Sequence, residues 1–335
     1  MTNFNSLPKE TPLGVQSYHY IYNSVAPVSF CELARLWLSD IRVSVKESTY
    51  TRYHRTVEKY IVGAIGELEP CQIDRFLINS FSEYLLECGG LRGGGLSAKS
   101  VSDVICVVKA IIKFGQSNGY VFGNTLGIRL PQLRRPRVRT LEGDARAFLE
   151  RVLLGADDPC AIGILLSLFT GIRIGEVCGL RWEDVDPLAR TVKISRTVER
   201  IANLDGCGAS RTKLIICEPK TERSLRVIPL PSFLFEKIEP LRRAPQIYIA
   251  TAEPTPTEPC ALYRKYKSLL RSAGLEDYSF HALRHTFATR CVEQGFDPKS
   301  LSEILGHSNI STTLALYVHP TLEQKRAQME RLAPQ

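Results

Sequence analysis

The chain has 335 residues, of which 44% are hydrophobic and 23% charged, with a formal charge of +8 and ten cysteines. That length accommodates two domains, and the composition is globular rather than disordered or fibrous. No apolar run approaches the ~18 residues of a membrane span, the N-terminus lacks signal-peptide order, and no C-x-x-C pair occurs, so a cytoplasmic protein without membrane contact, disulfide framework or structural zinc is expected.

Residues 1–27 carry no periodicity and read as an N-terminal arm. The pattern turns helical at Ser29, where Phe30, Leu33, Leu36 and Trp37 fall on one face. The spacing of Tyr50, Tyr53, Val57 and Tyr60–Ile61 predicts a second helix after Ser48. "INSFSEYLLEC" and "SAKSVSDVICVVKAIIKFGQSNGY" predict a third and a fourth, so residues 28–128 read as a four-helix domain. "GGLRGGGL" at 89–96 lies between two helices rather than after a strand, which makes it a connection and not a phosphate cradle. His54, among the basic residues of the second helix, is solvated or phosphate-contacting rather than a ligand.

"RLPQLRRPRVR" at 129–139 holds Arg129, Arg134, Arg135, Arg137 and Arg139 with no acid among them. Two prolines keep it extended. It is either a solvated linker or one that crosses a phosphate backbone. A second domain spans 140–335. "DARAFLERVLLG" and "DPCAIGILLSLFTG" are helices, the latter with Asp158 at its N-cap, Pro159 in its first turn and Gly171 past its end. "TVKISRTVER", "TKLIICEP" and "SLRVIPLP" predict three strands of one small antiparallel sheet, with "KTER" turning the last two into a hairpin. Helices resume from 260. The fold class is therefore mainly α with a small antiparallel β-sheet (α+β).

Four segments of this second domain carry chemistry. In "FTGIRIGEVCGLRWEDVD", Arg173 follows a glycine turn and opens a helix, so it either reaches an anion or pairs with Glu176. Lys220 sits at the tip of the expected hairpin, solvated or poised to donate a proton. In "FHALRHTFATR", His281 and Arg284 are three apart and share a helix face, while His285 and Thr286 turn inward as packing groups. The glutamate of a zinc helix is missing between His281 and His285, so no metal site is expected. Near the end, Asp297 caps a helix that Gly306 closes, His307 lies in the turn, and Tyr317 stands one turn before Pro320. Two arginines, a lysine and two histidines would surround a phosphate in its transition state, and a tyrosine is an oxygen nucleophile. A free phenol is ionised in only about one molecule in a thousand at pH 7. Neighbouring cations and a histidine base would correct that, and guanidinium forks would clamp the nonbridging oxygens without a cofactor. The reaction class is phosphodiester transesterification.

The order Arg173, Lys220, His281-x-x-Arg284, His307, Tyr317, within "TGIRIGEVCGLRWEDVD", "PKTERSLRVIPL", "HALRHTFAT" and "LGHSNISTTLALYVH", resembles the tyrosine recombinase (phage integrase) family. The resemblance covers 140–320, and the helical domain is similar to the family's core-type DNA-binding domain. It implies that Arg173 and Arg284 hold the scissile phosphate with His307, that His281 is the base, that Lys220 protonates the departing 5′-hydroxyl, and that Tyr317 becomes joined to the 3′-phosphate. Glu176 matches a supporting acidic position. The resemblance further implies a C-shaped clamp on double-stranded DNA with the arginine linker in contact, a Holliday junction intermediate, and a homotetrameric synapse with exchange of the C-terminal tail "LEQKRAQMERLAPQ". Accessory DNA-bending or directionality proteins would be further candidate partners. The 27 residues ahead of the helical domain are too few for the arm-site domain of many integrases, which points to a simpler recombinase of a mobile element or a resolvase-like member. A type IB topoisomerase uses similar residues without exchanging partners, and a noncatalytic DNA-binding regulator would carry them as remnants. The intact set of six argues against the latter.

Overall fold

The computed structural model describes residues 28–90, 93–133, 139–141, 143–204, 210–218 and 225–306, together with Arg326 and Met329. The chain divides into two compact units, Met1–Arg135 and Pro136–Gln335. Among the described residues no helix is long and apolar enough to cross a membrane.

In the first unit, α1 (Phe30–Ile41) starts at a capping box in which Ser29 and Glu32 each accept from the other's backbone N–H. α2 (Glu47–Thr56) runs on through a π-helical turn (Val57–Ile61) into a last α-turn (Val62–Ile65). The periodicity predicted one uninterrupted helix here. The π turn adds a residue locally and keeps Val57, Ile61 and Ile65 buried in succession. α3 (Arg75–Cys88) is capped by Asp74, whose carboxylate accepts from the Leu77 N–H at 2.9 Å. α4 (Ala98–Ser117) buries Val101, Val104, Ile105, Val108, Ile111 and Ile112 at helical spacing against α1 and α3. Each such side chain contributes roughly 1.5–3 kcal/mol by leaving water, so the four-helix reading rests on one shared apolar core.

The second unit is built around α6 (Pro159–Thr170), which is buried along nearly its whole length. α5 (Gly143–Leu154), α7 (Ile174–Gly179), α9 (Pro259–Ser272) and α10 (Phe280–Glu293) pack against it. α8 (Ser232–Ile238) covers it as well, and α11 (Pro298–Leu305) packs on α10. Asp158 caps α6 as its sequence predicts, accepting from Ala161 N–H at 3.1 Å.

The strands depart from the expected arrangement in two ways. "TVKISRTVER" is not one strand: β2 (Thr191–Ile194) and β3 (Thr197–Ala202) belong to different sheets. Between them Ser195 bonds Asp184 at 3.2 Å, and Arg196 bonds Asp184 at 2.8 Å and Glu183 at 3.0 Å. These polar attachments turn the chain from one sheet to the other. Nor does "KTER" close a hairpin. β4 (Thr212–Cys217) pairs with β3, whereas β5 (Arg226–Pro229) pairs with β2, which also carries β1 (Val185–Asp186). β5 joins β2 because Val192, Ile194 and Ile228 bury together in the main core, while β4 is half-exposed along its length. The segment holding Lys220 therefore connects two sheets, and Lys220 itself lies outside the described residues.

Gly171 ends α6 in the left-handed region at φ 68°, two residues before Arg173. A Cβ there would stand 2.6 Å from the Phe287 ring and 2.8 Å from Leu305. Gly171→Ala is expected to cost about 2–4 kcal/mol, from backbone strain plus overpacking. Urea unfolding measures this, and an unchanged midpoint would mean that the turn relaxes freely.

Candidate active site

Arg173 is the N-cap of α7, and the turn at Gly171 sets it there. Its backbone N–H donates to Glu176 Oε2 at 2.8 Å and its Nη1 to Glu176 Oε1 at 3.0 Å. The ion pair with Glu176 is present, and the Arg173 side chain remains 40% exposed.

Arg284 comes from α10 and is only 2% exposed. Its Nη1 donates to the Gly171 carbonyl at 2.7 Å and its Nη2 to the Leu305 carbonyl at 2.6 Å. Those carbonyls end α6 and α11, where helix dipoles present partial negative charge. One buried guanidinium therefore ties three helices at one point. Arg173 Nη2 reaches the next carbonyl, Gly306 O, at 3.5 Å. The two arginines, from distant parts of the chain, converge on adjacent peptides immediately before His307.

His281 lies one turn ahead of Arg284 and is exposed to solvent. Partial burial, then the charges of Arg284 and Arg173, lower its pKa below the ordinary 6.5. His285 stands edge-on to it, ring centroids 4.5 Å apart. Burial, then His281 and Arg284, push His285 down to about 4. Both imidazoles are neutral at pH 7. Thr286 turns inward as its sequence context predicts, accepting from Leu141 N–H at 2.9 Å and donating to Ala282 O at 2.8 Å.

Sequence reasoning missed Arg226. It is 8% exposed and grips Glu176 with both terminal nitrogens, at 3.0 and 2.8 Å. The signal was present in "RVIPL": alternation that buries Ile228 and Leu230 also puts position 226 inside and leaves Val227 out. Burial alone would raise the Glu176 carboxyl, but Arg226 and Arg173 outweigh it and hold it down at about 2. A carboxyl lowered on folding adds stability above its ordinary 4.5 that is lost as pH falls toward 2.

His307 and Tyr317, like Lys220, fall outside the described residues, as do Arg134, Arg135 and Arg137. Of the basic segment, Arg129 is held through its backbone N–H to Asn79 at 3.2 Å. Arg139 pairs with Glu276 and stacks 5.4 Å from the Tyr278 ring centroid. The structure thus brings Arg173, His281 and Arg284 together and holds Arg139 in local contacts.

The phage integrase family model matches residues 146–324. A "Tyrosine recombinase XerC-like" protein of Caldanaerobacter subterraneus subsp. tengcongensis is 26% identical over 334 residues, covering 91% of this chain and 83% of that protein. The ICEBs1 integrase of Bacillus subtilis is 22% identical with the same coverage, 91% and 83%. Among solved structures, the Tn1549 transposon integrase in complex with transposon right end DNA superposes with a TM-score of 0.69 at 25% identity, covering 91% of this chain and all of that one.

Proposed function

Because the chain belongs to the phage integrase family and is a tyrosine recombinase, we propose that it recombines double-stranded DNA site-specifically through a covalent 3′-phosphotyrosine at Tyr317. The observation that carries the catalytic reading is the convergence of Arg173 and Arg284 on the Leu305 and Gly306 carbonyls, one step before His307.

In this reading the two guanidiniums and His307 bond the nonbridging oxygens of the scissile phosphate. Two backbone carbonyls orient Arg284, so little reorganisation is needed as charge develops. His281, neutral at pH 7, takes the phenolic proton as Tyr317 Oη attacks phosphorus. The P–O5′ bond breaks, and Lys220 gives a proton to the departing O5′. One phosphoester replaces another, so the 5′-hydroxyl of a second strand can attack the phosphotyrosine and expel Tyr317. Two such exchanges pass through a Holliday junction and require four subunits. Tn1549 integrase bound to transposon right end DNA, a structural relative at 25% identity, supports a mobile-element role in integration and excision. Arg129 and the arginines of 134–139 would follow the phosphate backbone. The named relatives are recombinases and integrases, which disfavours the topoisomerase reading.

The test is strand exchange between two labelled duplexes carrying the target site. Joined products with a four-way intermediate are expected. Nicking and resealing without partner exchange would return the topoisomerase. The lowered His281 pKa of the DNA-free protein also places the acid limb of cleavage at subsaturating DNA below pH 6.5. A pH–rate profile checks this, and a limb above that value would remove His281 as the base.

A further inference from the structure

Burial of an ion pair does not by itself stabilise a fold, and apolar side chains of similar size often serve as well. Position 226 shares its inward face with Ile228 and Leu230, so an aliphatic residue would fit the pattern of β5. Instead it holds an arginine whose contacts include two that matter for the site. One leads to Glu176, whose two oxygens also receive the backbone N–H and the guanidinium of Arg173. The other leads from Nε to the Ile304 carbonyl at 2.6 Å, in the last turn of α11. Gly306 closes that helix at φ 64°, pressed so closely on the arginine that a Cβ would meet Nη1 at 3.1 Å and Cδ at 3.2 Å.

We infer that Arg226 is a positioning residue for strand cleavage: through Glu176 it sets the guanidinium of Arg173, and through Ile304 it sets the exit of the chain toward His307. This inference rests on the cleavage reading above. Arg226 touches neither phosphate nor nucleophile in this scheme. It holds Arg173 through the carboxylate of Glu176 and the end of α11 through the carbonyl of Ile304. Lysine would keep its charge but not the fork that reaches two oxygens and a carbonyl together.

The experiment uses full-length protein and target duplexes with either an ordinary phosphate or a methylphosphonate at the scissile position. A methylphosphonate lacks the charged oxygen that Arg173 would neutralise, so misplacing that arginine should matter less on it. Arg226→Lys and Glu176→Gln are each expected to slow formation of the covalent adduct on phosphate by about 100-fold. On methylphosphonate both deficits should shrink several-fold, with duplex affinity near that of wild type. A variant that only folds poorly would lose the same factor on both substrates. Equal or larger deficits on methylphosphonate, or full activity in both variants, would overturn the inference. Wild type that forms no Tyr317-dependent adduct on the phosphate duplex would instead sink the cleavage reading, and the inference with it.

Discussion

Tyr317→Phe is expected to abolish the covalent adduct, by more than about 10⁴-fold in rate, as loss of a nucleophile does. Affinity for duplex DNA should move less than about threefold, under 1 kcal/mol. The substitution removes one oxygen and preserves the ring, so it changes side-chain volume little. In the proposed reaction the phenolic oxygen is the nucleophile, and phenylalanine carries none. Trapping with SDS reads the adduct and a gel-shift titration reads the binding. Parallel loss of both would make Tyr317 a packing residue and would remove the proposed nucleophile.

Arg284→Met should fail twice over. The guanidinium is 2% exposed and bonds the carbonyls that end α6 and α11. Methionine fills much of the volume but leaves both acceptors without that donor, at a cost of about 2–5 kcal/mol. Cleavage should fall by about 10³-fold, because a preorganised donor to the phosphate disappears. Arg284→Lys should rescue neither property fully, since one ammonium cannot span both carbonyls. Thermal unfolding together with single-turnover trapping checks the pair of losses. An unchanged midpoint would show that the buried contacts are dispensable, and with them the argument that backbone orients this arginine.

Much of the frame that holds the site was legible because its signals are local. Asp158, Gly171, Asp297 and Gly306 each cap a helix where their residue types predict, and a cap depends only on the next few residues. Arg173 at an N-cap and its pairing with Glu176 were readable for the same reason. The sheets were less legible because strand pairing is decided by distant partners. Nothing within "TVKISRTVER" announces that Ser195 and Arg196 are drawn toward Asp184 and split the strand. Nothing within "KTERSLRVIP" announces that β5 prefers β2, whose apolar face it completes. Arg226 shows the same limit: alternation places it inside, but only the fold reveals the carboxylate waiting there. The convergence of Arg173 and Arg284 on one helix end joins positions more than a hundred residues apart, and spacing along the chain could not supply it.

The most direct test of the central claim is to map the attachment chemically. Wild-type protein is incubated in EDTA with sheared DNA of the source organism, quenched with SDS, and digested with nuclease and protease. Mass spectrometry then identifies the peptide that retains nucleotide. The account predicts one modified peptide, with Tyr317 joined to the 3′-phosphate of a nucleotide and a free 5′-hydroxyl on the other fragment. Attachment at another residue, attachment through a 5′-phosphate, or no attached peptide from protein that binds its site would contradict it.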